Sequence, residues 1–190
     1  MKIGLFFGSF NPVHVGHMII ANHMVQYSDL DQIWMVVSPH NPLKNKASLA
    51  KDSDRYHLVQ LAIGNNTKIK ASNVEFSMPL PSYTIDTLTF LNEKYPKHTF
   101  ALIMGGDNLE NIDKWKNYQQ ILDNYDIYLY KRTGHNPDKF SDYPRVKKMD
   151  VPLLDISATF IRQALHEGKS VQYLVPDAVH DYLENSVMYR

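Results

Sequence analysis

Ten residues near the amino terminus, Gly8-Ser9-Phe10-Asn11-Pro12-Val13-His14-Val15-Gly16-His17, bring together the groups needed to hold a phosphate. A short apolar run, Ile3 to Phe7, ends at Gly8, and a helical spacing of apolar residues opens at Val15. A glycine at such a junction lets the backbone approach a ligand closely, and a helix start offers unbonded N–H groups to an anion. His14 and His17 are three residues apart, hence neighbours on a helical start, and Gly16 leaves space between them. Two imidazoles aimed past the end of a buried strand make a phosphate clamp. A single histidine in this place is more often structural or exposed. A metal pair is a further reading, but helical ligand pairs usually sit four apart and no third ligand is evident nearby.

The elements that must position this cluster follow from hydrophobic period. Strands are expected at Ile3 to Phe7, Gln32 to Val37, Thr99 to Met104, Asp126 to Tyr130 and Val151 to Ile156, with Lys68 to Phe76 also β-like. Pro152 is tolerable in the last of these only near an end or edge. Helices are expected at Val15 to Tyr27, Asp54 to Ile63 (capped by Ser53 and closed by Gly64), Ile85 to Tyr95, Ile112 to Leu122, Ser157 to Glu167 and about Asp177 to Asn185. Thr133 to Lys148 is polar and reads as a long loop. Strands alternating with helices imply an α/β fold: a Rossmann-like parallel sheet with helices on both faces, one domain over residues 1–190. In such sheets ligands bind beyond the carboxyl ends of the strands, where the unusual residues of this chain are expected.

The bulk composition narrows the classes. The chain has 190 residues, 44% hydrophobic and 21% charged, as in an ordinary soluble globular protein. Twenty Lys and Arg balance twenty Asp and Glu, which argues against a nucleic-acid partner but not against a small phosphate ligand. Without cysteine there are no disulfides and no Cys-based zinc site. The first apolar run is too short and too soon broken for a signal peptide, and no stretch approaches the roughly 18 apolar residues of a membrane span. A cytoplasmic protein with no membrane partner is expected; the oligomeric state stays open.

The ten-residue string resembles the signature of the HxGH nucleotidyltransferases, Rossmann-like enzymes that transfer a nucleotidyl group from a nucleoside triphosphate. Their adenylyltransferase branches carry a second signature, matched here by Ile156-Ser157-Ala158-Thr159-Phe160-Ile161-Arg162. Physical reasoning agrees with that match: Phe160, Ile161, Ala164 and Leu165 fall on one helical face and Thr159 and Arg162 point away from it, so a hydroxyl, a guanidinium and free N–H groups converge at the helix start. Arg162 alone would read as a surface arginine. Pro81-Ser82-Tyr83-Thr84-Ile85-Asp86-Thr87-Leu88, Met104-Gly105-Gly106-Asp107-Asn108-Leu109, Trp115 and the loop Pro39 to Lys44 resemble segments of the bacterial nicotinate-nucleotide adenylyltransferases, as does the closing Tyr189-Arg190. The resemblance runs from Lys2 to the carboxyl terminus. This chain departs from the pattern at Asn11, where the family often has Asp, and in the Pro-rich loop, which leaves the role of His40 and the choice between Lys44 and Lys46 open.

The resemblance implies an enzyme that moves the adenylyl group of ATP onto nicotinate mononucleotide. His14 and His17 would contact the triphosphate, Lys44 or Lys46 would neutralise charge from the opposite side, and Arg162, Ser157 and Thr159 would hold the β- and γ-phosphates. Gly8, Ser9 and Phe10 would line the adenylyl site, with Gly105 and Ile156 also at the ATP, and Asp107 would meet the ribose or the water shell of a magnesium ion bound mainly through phosphates. Trp115 would stack on the pyridinium ring, and the backbone around Ser82, Tyr83 and Thr84 would hold the carboxylate. Trp115 also reads as a core residue, and the Ser82 segment as a helix cap and turn. An adenylyltransferase of the nicotinamide mononucleotide or pantetheine-phosphate type and a non-catalytic nucleotide-binding protein on the same fold are the alternatives.

Overall fold

In the computed structural model, which describes residues 1–39, 49–131 and 140–190, six parallel strands make one sheet. They are β1 (Lys2–Gly8), β2 (Gln32–Val37), β3 (Ile69–Ser72), β4 (Thr99–Gly105), β5 (Ile127–Tyr130) and β6 (Val146–Met149), in the order β3-β2-β1-β4-β5-β6. The chain runs outward from β1 in one direction, then returns to continue from β4 in the other. The cleft between the carboxyl ends of β1 and β4 is therefore the place where strand order reverses.

Strand alternation sends each half of the apolar residues to a different layer. Ile3 and Leu5 of β1, Phe100, Leu102 and Met104 of β4, and Ile127 and Leu129 of β5 pack with α3 (Thr84–Lys94), α4 (Gly106–Glu110) and α5 (Tyr118–Asn124). Phe6, Ala101, Ile103, Tyr128 and Tyr130 point the other way, against α1 (Val15–Tyr27), α2 (Asp52–Ile63), α6 (Ala158–His166) and α7 (Asp177–Glu184). A strand buried on both faces reads as a continuous apolar run, which is why β1, β2, β4 and β5 stand out in the sequence.

The outer elements depart from expectation for physical reasons. The sixth strand, Val146–Met149, overlaps the end of the expected Thr133 to Lys148 loop, whose residues 133–139 lie outside the described residues, and Val151 to Ile156 forms no strand. Edge strands tolerate lysine: Lys147 pairs in register with Tyr128 and lays its ammonium 5.0 Å from that ring. Leu153 and Leu154 are apolar because they line the cleft, not because they enter the sheet. The helix expected over Ile112 to Leu122 is broken by Asn117 in the left-handed region (φ 52°) into a 3₁₀ turn, Ile112–Lys114, and α5. The β-like stretch from Lys68 ends at Ser72, and Val74–Ser77 turns into a 3₁₀ helix. Ser53 does not cap α2; Lys51 precedes it, and Asp52 and Asp54 supply the first-turn negative charge. Phe160 is exposed, so Ile161, Ala164 and Leu165 alone hold α6 to the core. Among the described residues no helix is long and apolar enough to cross a membrane.

Candidate active site

A cleft of about 820 Å³ opens above the carboxyl ends of β1 and β4. Its floor is the β1–α1 turn. Gly8 ends β1, and a side chain there would run into the Phe10 ring at 2.8 Å. Phe10 turns through the left-handed region (φ 44°), and its buried ring meets His17 edge-on at 5.0 Å between centroids. Phe10 thus supports the histidine more than it offers surface to a ligand, although it does border the cleft.

The two histidines form a stacked pair, ring centroids 3.7 Å apart and 28° from parallel. His17 Nδ1 accepts the backbone N–H of His14 at 3.2 Å. That bond leaves the neutral ring's proton on Nε2, which makes His17 a donor on its far side. His14 precedes the first turn of α1 and is buried, while His17 is half-buried; both line the cleft.

The second signature closes on the first. Ser157 caps α6, its Oγ accepting Phe160 N–H at 3.1 Å, and the helix start faces the cleft with Ile156, Ser157, Ala158 and Thr159. Arg162 donates through Nη1 to the Asn11 backbone oxygen at 2.8 Å and through Nη2 to Thr159 Oγ1 at 3.3 Å. One guanidinium therefore spans 151 residues of sequence and pins α6 against the phosphate turn. Asn11 is a junction: its Oδ1 accepts the Tyr189 hydroxyl at 2.7 Å and the Ala50 N–H at 3.1 Å. An amide oxygen serves as acceptor there without adding a negative charge beside the clamp. Burial pushes the Tyr189 phenol up, against the pull of Arg55 and Arg162, so it remains a hydroxyl donor at neutral pH.

Sequence reasoning missed Arg55. Its fully buried guanidinium donates to the backbone oxygens of Ala50 (3.0 Å), Ser38 (3.0 Å), Pro39 (3.4 Å) and Ser9, and pairs with Asp52 at 2.7 Å. It ties the turn after β1 to the end of β2 and to the return of the chain at Ala50. No local pattern marks such a residue, because all it reaches except Asp52 and Ala50 lies far away in sequence.

The other wall comes from β4 and the helices beyond it. Gly105 does not itself line the cleft; a Cβ there would stand 2.6 Å from Asp107 Oδ1, so the glycine permits Asp107, in the first turn of α4, to fold back into the site. Ser82, Tyr83 and Thr84 enter α3, whose first backbone bonds run from Asp86 and Thr87 to Tyr83 O, so the preceding N–H groups face out of the helix end. Trp115 sits in the break before α5, half-buried, packed on the core on one side and lining the cleft on the other. The core reading of Trp115 and its place on the cleft wall are thus compatible. Lys116, also on the wall, lies 5.1 Å from the Tyr83 ring and pairs with Asp86 at 2.8 Å. Lys44, Lys46 and His40 lie outside the described residues. Among the described residues no cluster of three or more His, Asp or Glu could hold a metal.

A parallel sheet carrying a histidine pair, an arginine-bearing helix start and a cleft at its switch point defines a nucleotide-handling transferase. The cytidylyltransferase-like family model matches residues 5–164. The chain is 52% identical over 192 residues to a probable nicotinate-nucleotide adenylyltransferase of Flavobacterium johnsoniae, covering all of both chains, and 44% identical to one of Bacteroides fragilis, covering 94% of this chain and 89% of the other. In fold it is similar to the Plasmodium falciparum nicotinic acid mononucleotide adenylyltransferase complexed with NaAD, with a TM-score of 0.84 at 19% identity over 99% of this chain and 97% of that one. The chain belongs to the cytidylyltransferase-like family and, within it, to the nicotinate-nucleotide adenylyltransferases.

Proposed function

We propose that this chain transfers the adenylyl group of ATP to nicotinate mononucleotide, releasing pyrophosphate and forming nicotinate adenine dinucleotide, in the cytoplasm. The observation that carries the reading is the Arg162 bond to Asn11, which brings both nucleotide signatures together on a cleft whose lining also includes Tyr83 and Trp115.

The acceptor phosphate is already an ionised nucleophile at neutral pH. It attacks the α-phosphorus of ATP, a new P–O bond forms, and the bond to the β-phosphate oxygen breaks as pyrophosphate leaves. No general base or covalent enzyme intermediate is required, so catalysis is alignment plus stabilisation of spreading negative charge. His17 Nε2–H is the preorganised donor toward the α-phosphate, with His14 stacked behind it. Arg162, Ser157 and Thr159 hold the β- and γ-phosphates, and Lys44 or Lys46 supplies charge from the far side. Asp107 meets the ribose or the ion's water shell. Asp107 on this wall suits magnesium held mainly by phosphate oxygens and water, which would neutralise the triphosphate when bound. Trp115 offers its face to the pyridinium ring, and the N–H groups opening α3 suit a carboxylate.

The test is dinucleotide formation and pyrophosphate release from ATP-Mg with nicotinate mononucleotide, nicotinamide mononucleotide and a pantetheine phosphate offered in turn. Fastest transfer to the nicotinate form is expected. Preference for the pantetheine phosphate, or no transfer to any acceptor, would overturn the reading.

A further inference from the structure

Tyr189 does not border the cleft, yet its hydroxyl reaches the turn on which both nucleotide signatures meet. The ring packs against the core layer of α1, α2, α6 and α7, and its hydroxyl donates to Asn11 Oδ1 at 2.7 Å. The same oxygen accepts the Ala50 N–H, while the Asn11 backbone oxygen accepts Arg162 Nη1 at 2.8 Å. One residue of the turn thus takes a phenol on its side chain and a guanidinium on its main chain. Asn11 is 5% exposed, so its amide oxygen depends on protein donors rather than on bulk water.

The segment that presents Tyr189 is itself held. Ser186 N–H returns to Leu183 O at the end of α7, and Met188 N–H donates to Ser186 Oγ at 3.1 Å. Arg190 donates through its backbone N–H to Val187 O and through Nη2 to Glu184 O. Between these bonds Tyr189 adopts the left-handed region (φ 67°), a costly conformation for a bulky residue and one kept only where the surroundings impose it. In turn α7 rests on α2, where Tyr182 meets His57 edge-on at 5.1 Å.

We propose that Tyr189 is a positioning residue for ATP: its hydroxyl fixes the Asn11 turn, and through that turn the Arg162 guanidinium, so that the fork is set for phosphate before the nucleotide arrives. This rests on Arg162 holding the ATP phosphates, as proposed above.

Arg162 takes its orientation from two acceptors, Thr159 Oγ1 and Asn11 O. Thr159 stands on α6 with Arg162, so it is the Asn11 bond that refers the guanidinium to the phosphate turn. A turn free to shift would carry the guanidinium with it or lose that bond, and ATP would then have to order the fork on binding, which costs affinity. Replacing the phenol by a phenyl ring removes one 2.7 Å bond from Asn11 and leaves the ring's packing in place. The acceptor wall does not share this support, because Trp115 and the buried residues of α3 pack in the other core layer. The loss should therefore fall on ATP and not on the acceptor.

The experiment is Tyr189→Phe, with KM for ATP and KM for nicotinate mononucleotide measured separately and Tm recorded beside them. KM for ATP is expected to rise about 5-fold, the weight of one neutral hydrogen bond, with KM for the mononucleotide within about 2-fold of wild type. A role in stability alone would lower Tm and leave both KM values where they were. That result, or an equal rise in both KM values, would overturn the positioning role. The route through Asn11 is read from a double-mutant cycle: in an Asn11→Ala background, Tyr189→Phe should change KM for ATP no further, and full additivity would overturn that route. If Asn11→Ala fails to fold, as judged by circular dichroism, the split between the two KM values in Tyr189→Phe decides alone. An active wild type whose Tyr189→Phe variant keeps its KM for ATP overturns this role and leaves adenylyl transfer standing. A wild type that transfers to no acceptor overturns both.

Discussion

His17 has the most sharply defined task of any side chain in the cleft: its Nδ1 is committed to the His14 backbone, which presents Nε2–H outward. His17→Ala removes one preorganised donor, worth about 3 kcal/mol in a transition state, so kcat should fall by at least about 10²-fold with acceptor binding nearly intact. Single-turnover rates and acceptor titration check this, and near-normal turnover would remove His17 from the chemistry. Arg162→Lys keeps the charge but cannot grip Asn11 O, Thr159 and two phosphate oxygens together, so a raised KM for ATP in a folded protein is expected. An unchanged KM would place Arg162 outside the ATP site. His14, His17, Ser157, Thr159 and Arg162 were legible in the sequence because residue type and spacing coincide with element starts. Arg55 was not, since it acts across segments that only the fold brings together, the backbone at Ser9 and at Ser38.

Elements differ in how they announce themselves. The inner strands are apolar on both faces, and their expected bounds fall within a residue or two of the observed ones, whereas β6 carries two lysines and reads as loop. Val151 to Ile156 reads as strand, because Leu153 and Leu154, which line the cleft, are the side chains a core strand would carry. Nothing in a helical spacing requires a left-handed residue at Asn117, yet Trp115, just before that break, lines the cleft. A stacked indole meets a pyridinium ring whatever its substituent. Trp115→Ala should therefore weaken nicotinate and nicotinamide mononucleotides by a similar factor, about 10-fold, and leave their ratio almost unchanged. Isothermal titration of both ligands checks it; a change confined to one would mean that the indole reads the substituent.

The molecule as a whole has a working end and a structural end. Opposite the cleft, Lys2 at the start of β1 bonds Asp29 and Asp126 at 2.7 Å each, and Lys147 joins Asp126 at 3.1 Å and Asp29 at 3.5 Å, beneath a Tyr128 hydroxyl that donates to Asp29. Burial alone would lower Lys2, but the hydrogen bonds to Asp126 and Asp29 raise it, while hydrogen bonds from Lys2 and Tyr128 hold Asp29 well below the carboxylate range. Depressed carboxylates stabilise the fold above their unfolded value near 4 and lose that contribution as pH falls through the folded one; a raised lysine contributes until pH climbs past its unfolded value near 10.5. These pairs are partly solvated, so Lys2→Met should cost about 1 kcal/mol, a Tm drop of about 2–4 °C at neutral pH. The gap should narrow progressively as melts are taken below about pH 4, with kcat and KM untouched. A gap that stays constant through that acid range would assign the loss to packing. The two apolar layers hold a longer consequence. His14, His17 and Arg162 stand on elements rooted in the α1, α2, α6 and α7 layer, whereas Ser82, Tyr83, Thr84 and Trp115 are rooted in the α3, α4 and α5 layer, with a sheet between them. Over generations, a lineage built this way can exchange one acceptor for another by revising one side of the sheet, and inherit its hold on ATP unaltered from the other.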